Sequence, residues 1–566
     1  MGAKTFRFNG KDITARDGQS LAAALTEAGV RAFRDTAKDA ERGIFCGMGV
    51  CQDCLVTIDG VPNRRACMTP VEDGMEVARQ VALPEFGAAV EPPSAEALRL
   101  SPDVLVIGGG AGGLSAASTA AEAGANVVLI DERKVAGGQY YKQAADKTIL
   151  DQQQAEGARL VERTRASGAQ VIAGVELWGA FDGLRFFGHR DGVPVIATPK
   201  TAIIATGAYE RPVPVPGWTM PGVMTTGAAQ TLWRSYQTLP GMRIAVCGSG
   251  PLNVQVALEL GKGGAEIVYI AERAKSALTR PLAALSMAAS DPKLTLQGLG
   301  MLAGLRRHGI KVHTGTELIR VTRESNGLAA TFRGASGREE TVQIDALCMN
   351  GGFEPQNEIL RLLGAQMHYD TAMGHLRCEK NASMETSVTG VYAIGDCTGL
   401  GGAPAARIEG EIAGASAAAA TGHGNAADLS QKRRKLAKHR LFQKNLWRLY
   451  DIAPKDTAAL ADDTILCRCE ELTVGDVRAG LSTKPGHIGT LKRATRVGMG
   501  RCQGRYCGPL AAQIVSQATG QAIDDLSFFA PRVPIKPVAI STILAAEKAA
   551  RDCEEVAKIE TCDAGG

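Results

Sequence analysis

Polar and apolar residues alternate near the start of the chain, which is the pattern of strands with one buried face. Residues 4–16 alternate around an Asn-Gly turn and predict a β-hairpin. Ser20 then precedes an alanine- and leucine-rich stretch, the signal of a capped helix. A further strand at 54–60 ends in an Asp-Gly turn. The sequence therefore predicts a small β-rich domain with one helix over residues 1–82.

The middle of the chain changes to long α/β alternation. Continuous apolar runs that begin at Asp103 and Arg243 predict parallel strands, because strands buried on both faces have no polar side. The expected fold class is α/β, with a unit at 102–422 that contains an inserted second domain at about 241–342. The other predicted segments are a proline-containing linker at 83–101, a basic helical linker at 423–462, a cysteine-rich domain at 463–530, and a tail at 531–566 that holds a short helix.

A glycine-rich loop follows the first apolar run and opens an alanine-rich helix. Gly108 permits the tight turn, Gly110 lets the backbone approach a pyrophosphate, and Gly113 lets helix and strand pack closely. The next strand ends in Asp131, which is placed to take a ribose hydroxyl pair. This context predicts an adenine dinucleotide site. The fingerprint reads adenosine diphosphate, so FAD and other adenine dinucleotides both satisfy it.

A second glycine loop follows the second apolar run. It keeps Gly248 and Gly250 but has Asn253 at the third position, where a larger residue would loosen the contact between helix and strand. An intact dinucleotide-type fold is expected there. Two interpretations stay open, namely a site for NAD(P) and a structural domain that has lost its ligand.

Eight of the fourteen cysteines fall into two ordered sets. The first set is Cys46, Cys51, Cys54 and Cys67, and the second is Cys467, Cys469, Cys502 and Cys507. The x4 and x2 spacing of the first set favours a [2Fe–2S] cluster, with zinc as the alternative metal. The two close pairs of the second set can clamp another [2Fe–2S] cluster, against a zinc or purely structural role.

Composition and charge narrow the function classes. The net charge is +4 with 22% charged residues, so nothing favours nucleic acid as a partner. The chain begins without a signal-peptide pattern and has no run of about 18 apolar residues, so neither secretion nor a transmembrane helix is expected. Many cysteines in such a chain indicate a reducing cytoplasm. We find no Ser/His/Asp set and no HExxH motif, so catalytic residues stay unassigned.

Residues 102–422 resemble the glutathione-reductase-like flavoprotein disulfide oxidoreductases, which have two dinucleotide-binding domains. The resemblance rests on the two glycine loops and on two later strands, at 203–207 and 391–396. It implies that Gly138 and Gln139 lie beside the pyrophosphate, that Thr206 and Gly207 line the same pocket, and that Gly395 and Asp396 contact the ribityl side of the flavin. The Cys-x4-Cys redox pair of that family is missing, so disulfide reduction is not expected.

Both cysteine domains carry resemblances of their own. The first resembles small ferredoxin domains of the β-grasp type, and the second resembles bacterioferritin-associated ferredoxin. The motif Cys467-Arg-Cys469-Glu-Glu and the segment 502–507 resemble the α subunits of heteromeric amine and imino-acid dehydrogenases. That group includes opine oxidases, hydrogen cyanide synthase, dye-linked proline and hydroxyproline dehydrogenases, and sarcosine oxidase.

The resemblance implies an electron-transferring α subunit with FAD, two [2Fe–2S] clusters and FMN as a further candidate at a subunit interface. A partner β subunit of the glycine-oxidase type would oxidise the C–N bond of an amino acid, imino acid or opine. A quinone or dye-like acceptor would take the electrons, which would allow contact between a cytoplasmic enzyme and the membrane through that acceptor. The alternatives are a self-sufficient NAD(P)H-dependent reductase and a non-enzymatic iron–sulfur carrier.

Overall fold

The computed structural model of the chain describes residues 2–85, 96–424, 428–450, 456–483 and 486–563, with side chains to residue 551. None of the helices in these ranges is long and apolar enough to cross a bilayer.

The N-terminal domain is a five-stranded mixed sheet packed against one helix. The elements of this domain are β1 (Ala3–Phe8), β2 (Lys11–Arg16), α1 (Leu21–Glu27), β3 (Arg34–Asp35), β4 (Glu41–Arg42), β5 (Leu55–Ile58), β6 (Val61–Arg65) and β7 (Glu76–Arg79). The strand order of the sheet is β2-β1-β7-β5-β6, and β3 and β4 form a separate pair. The predicted hairpin is confirmed, because β1 and β2 pair antiparallel from Ala3 with Arg16 to Phe8 with Lys11. The predicted cap is confirmed too, since the Ser20 hydroxyl accepts the N–H of Ala23.

Residues 96–424 contain two parallel sheets with helices on their faces, which confirms the predicted α/β class. The strands are β8 (Leu98–Leu100), β9 (Val104–Ile107), β10 (Val127–Asp131), β11 (Gln170–Ala173), β12 (Val175–Phe181), β13 (Arg185–Arg190), β14 (Val193–Ala197), β15 (Thr201–Ile204), β16 (Ala208–Glu210), β17 (Val223–Thr225), β18 (Arg243–Gly248), β19 (Glu266–Glu272), β20 (Val312–Thr314), β21 (Glu317–Glu324), β22 (Gly327–Arg333), β23 (Glu339–Ile344), β24 (Ala346–Asn350), β25 (Phe353–Pro355), β26 (Met367–Asp370), β27 (His375–Cys378) and β28 (Val391–Ala393). The helices are α2 (Ala111–Glu122), α3 (Gln152–Ala166), α4 (Thr226–Tyr236), α5 (Pro251–Lys262), α6 (Pro281–Ser290), α7 (Pro292–Arg307), α8 (Glu358–Leu362) and α9 (Gly402–Ala420).

The first parallel sheet has the order β11-β10-β9-β15-β28. Its last strand comes from the end of the unit, so the chain leaves this sheet and returns to it. Helices α2 and α9 cross closely because α9 carries glycine where they meet. A Cβ added at Gly410 would lie 2.2 Å from the carbonyl oxygen of Gly112, and one at Gly414 would lie 2.4 Å from that of Ala116. This contact brings the start of α9 beside the first glycine loop.

The second parallel sheet has the order β17-β24-β18-β19-β20. Strands β17 and β24, which come before and after residues 241–342 in the sequence, both lie at one edge of this sheet. Helices α6 and α7 form a helical pair between β19 and β20. The antiparallel sheet β21-β22-β23 adjoins this unit. Strands β16 and β25 pair with each other where the chain passes from one unit to the other and back.

The C-terminal region is mainly helical. Its elements are α10 (Ser430–Leu449), β29 (Ile465–Cys467), β30 (Leu472–Thr473), α11 (Val474–Thr483), α12 (Ile488–Thr495), α13 (Gly508–Thr519) and α14 (Ile540–Asp563). The prediction of a short helix in the tail is wrong about its length, because α14 has 24 residues. Its sequence contains no glycine or proline, so no residue in it breaks a helix.

Residues from three parts of the chain share one buried apolar cluster. Phe45 and Cys46 come from the N-terminal domain, Trp218 from the middle of the chain, and Cys502 and Tyr506 from the C-terminal domain. The ring of Phe45 meets those of Trp218 and Tyr506 edge to face, with centroids 5.7 and 5.4 Å apart. Both cysteine domains are therefore packed into the core of the protein.

Candidate functional site

The first glycine loop joins β9 to α2 and leaves no room for a Cβ at two points. Gly108 has a φ of +111°, and a Cβ there would lie 2.4 Å from the carbonyl oxygen of Ala205. A Cβ at Gly113 would lie 1.8 Å from the carbonyl oxygen of Gly108. The loop therefore presents backbone N–H groups at the start of α2, where a pyrophosphate is stabilised by a helix N-terminus.

Asp131 adjoins this loop from the end of β10. Its carboxylate accepts the backbone N–H of Gly109 and, at 2.7 Å, that of Arg133. Burial raises the pKa of Asp131 to about 6, although the two N–H donors oppose the shift. The side chain lines the cavity described next, so it can accept a ribose hydroxyl pair when it is ionised.

One cavity of about 1390 Å³ brings most of the predicted dinucleotide residues together, but Gly248 and Gly250 of the second loop are not among its wall residues. Of these residues, its walls include Gly108, Gly110, Asp131, Gly138, Gln139, Thr206, Gly207, Gly395 and Asp396. Gly113 lies behind the loop and serves the packing of α2 against β9. The cavity extends to the second parallel sheet, where Pro251, Leu252 and Glu272 line it. It therefore reaches from the first glycine loop to the start of α5.

Asp396 shapes the far wall of the cavity. Its Oδ1 accepts the N–H groups of Gly401 and Gly402, both at 2.9 Å, and so holds the turn that begins α9. Burial raises the pKa of Asp396. Beside it, Glu409 accepts the N–H of Gly395 at 2.7 Å and forms an ion pair with Lys380 at 2.9 Å. Glu409 therefore supports the Gly395–Asp396 turn from behind.

The second glycine loop, like the first, is held by an acid at the end of the next strand. Glu272, at the end of β19, accepts the Ser249 hydroxyl at 2.6 Å and the N–H of Gly250 at 3.1 Å. Asn253 fits the third position because its side-chain oxygen accepts the Thr226 hydroxyl at 2.8 Å inside the core. Trp447, near the end of α10, lies at the loop, 3.7 Å from the place of a Cβ on Gly250. The loop is well formed, and an aromatic side chain adjoins it.

The first cysteine set is buried and divides into two thiol pairs. The Cys46 thiol interacts with that of Cys51, and the Cys54 thiol interacts with that of Cys67. The N–H groups of Cys51 and Met48 point at the Cys46 sulfur, at 3.4 and 3.5 Å. Burial raises the pKa of Cys46, but the Cys51 thiol and these N–H groups outweigh it and lower that pKa to about 7. The loop thus stabilises negative charge on sulfur.

The second set has the same two-pair arrangement. The Cys467 thiol interacts with that of Cys507, and the Cys469 thiol interacts with that of Cys502. The interaction with Cys469, aided by backbone N–H groups, lowers the pKa of Cys502 to about 7 against the effect of burial. A Cβ on Gly500 would lie 2.1 Å from that of Cys469, so only glycine lets the two loops of the set meet.

The arrangement of the thiols can be compared with what each inorganic group requires. A single zinc ion needs several ligands that converge on one point, and the described residues contain no group of three or more His, Cys, Asp or Glu side chains suited to one metal ion. A [2Fe–2S] cluster has two irons, and its four thiolates divide two to each iron. Both sets are therefore compatible with a binuclear cluster, through the pairs Cys46–Cys51, Cys54–Cys67, Cys467–Cys507 and Cys469–Cys502.

Several residues of this region were not predicted from the sequence. Met48, within the first cysteine loop, lines the dinucleotide cavity. Asp53 and Arg468 each lie between two cysteines of a set and bond to one another at 2.7 Å. Buried Lys142 also lines the cavity, and burial lowers its pKa to about 7. A charged residue between two ligands of a motif was a signal available for Asp53 and Arg468, whereas nothing local distinguishes Met48 or Lys142.

Three family models match the chain. Pyridine nucleotide-disulphide oxidoreductase matches residues 102–422, the 2Fe-2S iron-sulfur cluster binding domain matches 3–82, and the sarcosine oxidase A3 domain matches 463–548. These matches follow the three parts of the fold described above.

Named relatives agree with these matches. The opine oxidase A-subunit of Rhizobium meliloti (strain 1021) is 32% identical, over 78% of this chain and 98% of its own length. Hydrogen cyanide synthase subunit HcnB of Pseudomonas aeruginosa is 29% identical, over 77% of this chain and 97% of its own. Among solved structures, L-proline dehydrogenase from P. horikoshii matches with a TM-score of 0.70 and 21% identity, covering 96% of this chain and 97% of that one. This last likeness concerns the fold alone.

Proposed function

We propose, from the premise that this chain belongs to the pyridine nucleotide-disulphide oxidoreductase family together with the opine oxidase A-subunit, that it is the electron-transferring α subunit of a multi-subunit dehydrogenase. The donor is the C–N bond of an amino acid, imino acid or opine, oxidised in a partner β subunit of the glycine-oxidase type. One observation carries the proposal: Cys46 and Cys51 of the first set share a buried cluster with Cys502 of the second, and the loop of the first set reaches the dinucleotide cavity through Met48.

The residues that would hold each group follow from the site. The first glycine loop, Asp131 and Asp396 would hold FAD, and the four thiol pairs would hold two [2Fe–2S] clusters. These groups, when bound, supply two-electron and one-electron redox chemistry, respectively. The protein itself aims backbone N–H groups at sulfur and excludes water from the cysteine loops. FMN at a subunit interface, a quinone or dye-like acceptor, and a cytoplasmic location with membrane contact through that acceptor belong to the same proposal.

The experiment is to count the groups and assign them. The full chain, purified under anaerobic conditions, should contain one FAD, and its iron and acid-labile sulfide should each approach the amount of two binuclear clusters. Paramagnetic resonance of the reduced protein should show two distinct signals. Cys51→Ser should remove one and Cys507→Ser the other. A single signal in the wild type, or zinc in either site, would overturn the two-cluster proposal.

A self-sufficient NAD(P)H-dependent reductase is the second candidate, and one observation favours it. Glu272 accepts the N–H of Gly250, so the second loop, like the first, is held by an acid at the end of the next strand, which supports a nucleotide site there. Anaerobic addition of NADH or NADPH to the lone chain separates the two proposals. Rapid bleaching of the flavin supports the reductase, whereas reduction only when an amine and the β subunit are both present supports the α-subunit role. No flavin should bind to a non-enzymatic carrier.

A further inference from the structure

A buried ion pair joins the two cysteine loops. Asp53 lies between Cys51 and Cys54, and Arg468 lies between Cys467 and Cys469. The Nε of Arg468 donates to Oδ2 of Asp53 at 2.7 Å, and the two side chains are 5% and 1% exposed. The pair therefore connects the segment that carries one set of thiols directly to the segment that carries the other.

Phe45 and Trp218 also contact the guanidinium of Arg468. Its carbon lies 3.9 Å from the ring centroid of Phe45, the residue before Cys46, and 4.6 Å from that of Trp218. Its Nη1 donates to the carbonyl oxygen of Trp218 at 3.3 Å. A planar cation stacked on rings and bonded at its edge has little freedom to move. Any shift of one cysteine loop must therefore displace the other.

The ion pair belongs to a buried group with excess positive charge. Asp53 also accepts Arg34 at 2.9 Å, and Glu471 pairs with Arg42 at 2.9 Å. Three arginines and two acids give this group one net positive charge. It adjoins two sets of four cysteines, whose thiolate forms are negative. Net charge and hydrogen bonding near the sulfurs are among the factors that set the reduction potential of an iron–sulfur cluster.

We propose that Arg468 is a positioning residue that serves both cysteine sets at once. It fixes one loop against the other and supplies a positive charge that both sites share, so the two sites form one coupled unit. This inference rests on the proposed function, in which each set holds a [2Fe–2S] cluster. It concerns how the sites are tuned and assembled, which the presence of the clusters alone does not decide.

Two substitutions at the ion pair test the shared charge. In the full, cofactor-loaded chain, Arg468→Gln removes positive charge and should lower the midpoint potentials of both clusters. Asp53→Asn removes a negative charge that compensates Arg468 and should raise both midpoint potentials. Opposite shifts at two ends of one hydrogen bond reflect charge, because damage to the structure would not produce opposite signs. Potentiometric titration followed by paramagnetic resonance measures both potentials in one sample.

Arg496→Gln is the matched control. Arg496 also pairs with an acid beside the second set, Glu470 at 2.8 Å, but its side chain is 67% exposed, so solvent screens its charge. The midpoint potentials of both clusters in Arg496→Gln should match those of the wild type. Movement of only one potential in Arg468→Gln, unchanged potentials in that variant, or shifts of the same sign in Arg468→Gln and Asp53→Asn would each overturn the inference.

The positioning role has a separate readout. Arg468→Lys keeps the charge but lacks the planar fork, so it should retain iron, with potentials between those of the wild type and Arg468→Gln. If Arg468→Gln loses iron, both sets should lose it together, and loss from the second set alone would contradict a shared role. If the wild-type protein does not show two signals, the proposed function itself is refuted, and this outcome is known before any variant is compared.

Discussion

Glu471→Gln tests whether the N- and C-terminal domains are held together by buried charge. The Glu471 carboxylate accepts the Thr36 hydroxyl at 2.8 Å, Arg42 at 2.9 Å and the N–H of Lys38 at 3.2 Å. The side chains of Arg42 and Glu471 are 2% and 6% exposed. Glutamine keeps the shape of the residue and one acceptor oxygen, but it leaves the Arg42 guanidinium as a buried cation without its counter-charge.

The expected cost follows from that burial. Removing one partner of a buried ion pair costs about 3–5 kcal/mol, because the remaining charge stays desolvated. Since each 1.4 kcal/mol is tenfold in an equilibrium, local opening should become roughly two to three and a half orders of magnitude more frequent. The control is Glu339→Gln, whose pair with Arg333 at 2.7 Å is 51% and 40% exposed and should contribute about 0–1 kcal/mol.

Native-state hydrogen exchange read by mass spectrometry measures this opening. Peptides that cover strands β3 and β4 and the segment 469–473 should lose protection in Glu471→Gln and keep it in Glu339→Gln. The reasoning is refuted if Glu471→Gln changes protection by less than about tenfold, because the pair would then contribute no more than a surface pair. It is also refuted if the loss appears equally across the whole chain, since the effect would then be global.

Three further predictions concern the cavity. Gly113→Ala should prevent retention of the dinucleotide, because the new Cβ would clash with Gly108. The control Gly300→Ala, whose Cβ would stand in open space away from the cavity walls, should keep full flavin content in the purified protein, and equal content in the two variants would contradict the role of the loop. Because the pKa of Asp131 is raised to about 6, affinity for the dinucleotide in a fluorescence titration should rise as the pH rises through about 6, and Asp131→Asn should lose this dependence. The pKa of buried Lys142 is lowered from 10.5 to about 7, so between these two pH values the unfolded chain binds the extra proton and stability should rise with pH. Lys142→Met should flatten that slope in thermal melts, and an unchanged slope would contradict the assignment.

Features encoded by adjacent residues were predictable from the sequence. The β1–β2 hairpin, the cap at Ser20 and the α/β alternation depend on turn chemistry and apolar period, which act over a few residues. The glycine loop with Asp131 at the next strand end is also a short-range pattern, and the structure places these residues around one cavity. Whether they bind FAD stays a prediction.

Contacts between distant segments were not predictable in this way. Asp53 and Arg468 are 415 positions apart, and no local pattern indicates that they meet. Likewise, nothing near Gly250 in the sequence indicates that Trp447 lies beside that loop. The compatibility of Asn253 with the second loop depends on a hydroxyl from α4. Each of these contacts depends on how the domains pack, which only the tertiary structure provides.

The span of the ion pair between the cysteine loops has a consequence for biosynthesis. A chain leaves the ribosome N-terminus first, and domains generally fold in that order. Residues 1–82 can therefore fold long before Arg468 and Glu471, which bond to Asp53 and Arg42 of this domain, have been synthesised. During that interval a cluster that the first cysteine loop would hold could enter it without displacing the C-terminal domain. Docking of that domain would then close the loop, so the order of translation would separate cofactor insertion from burial.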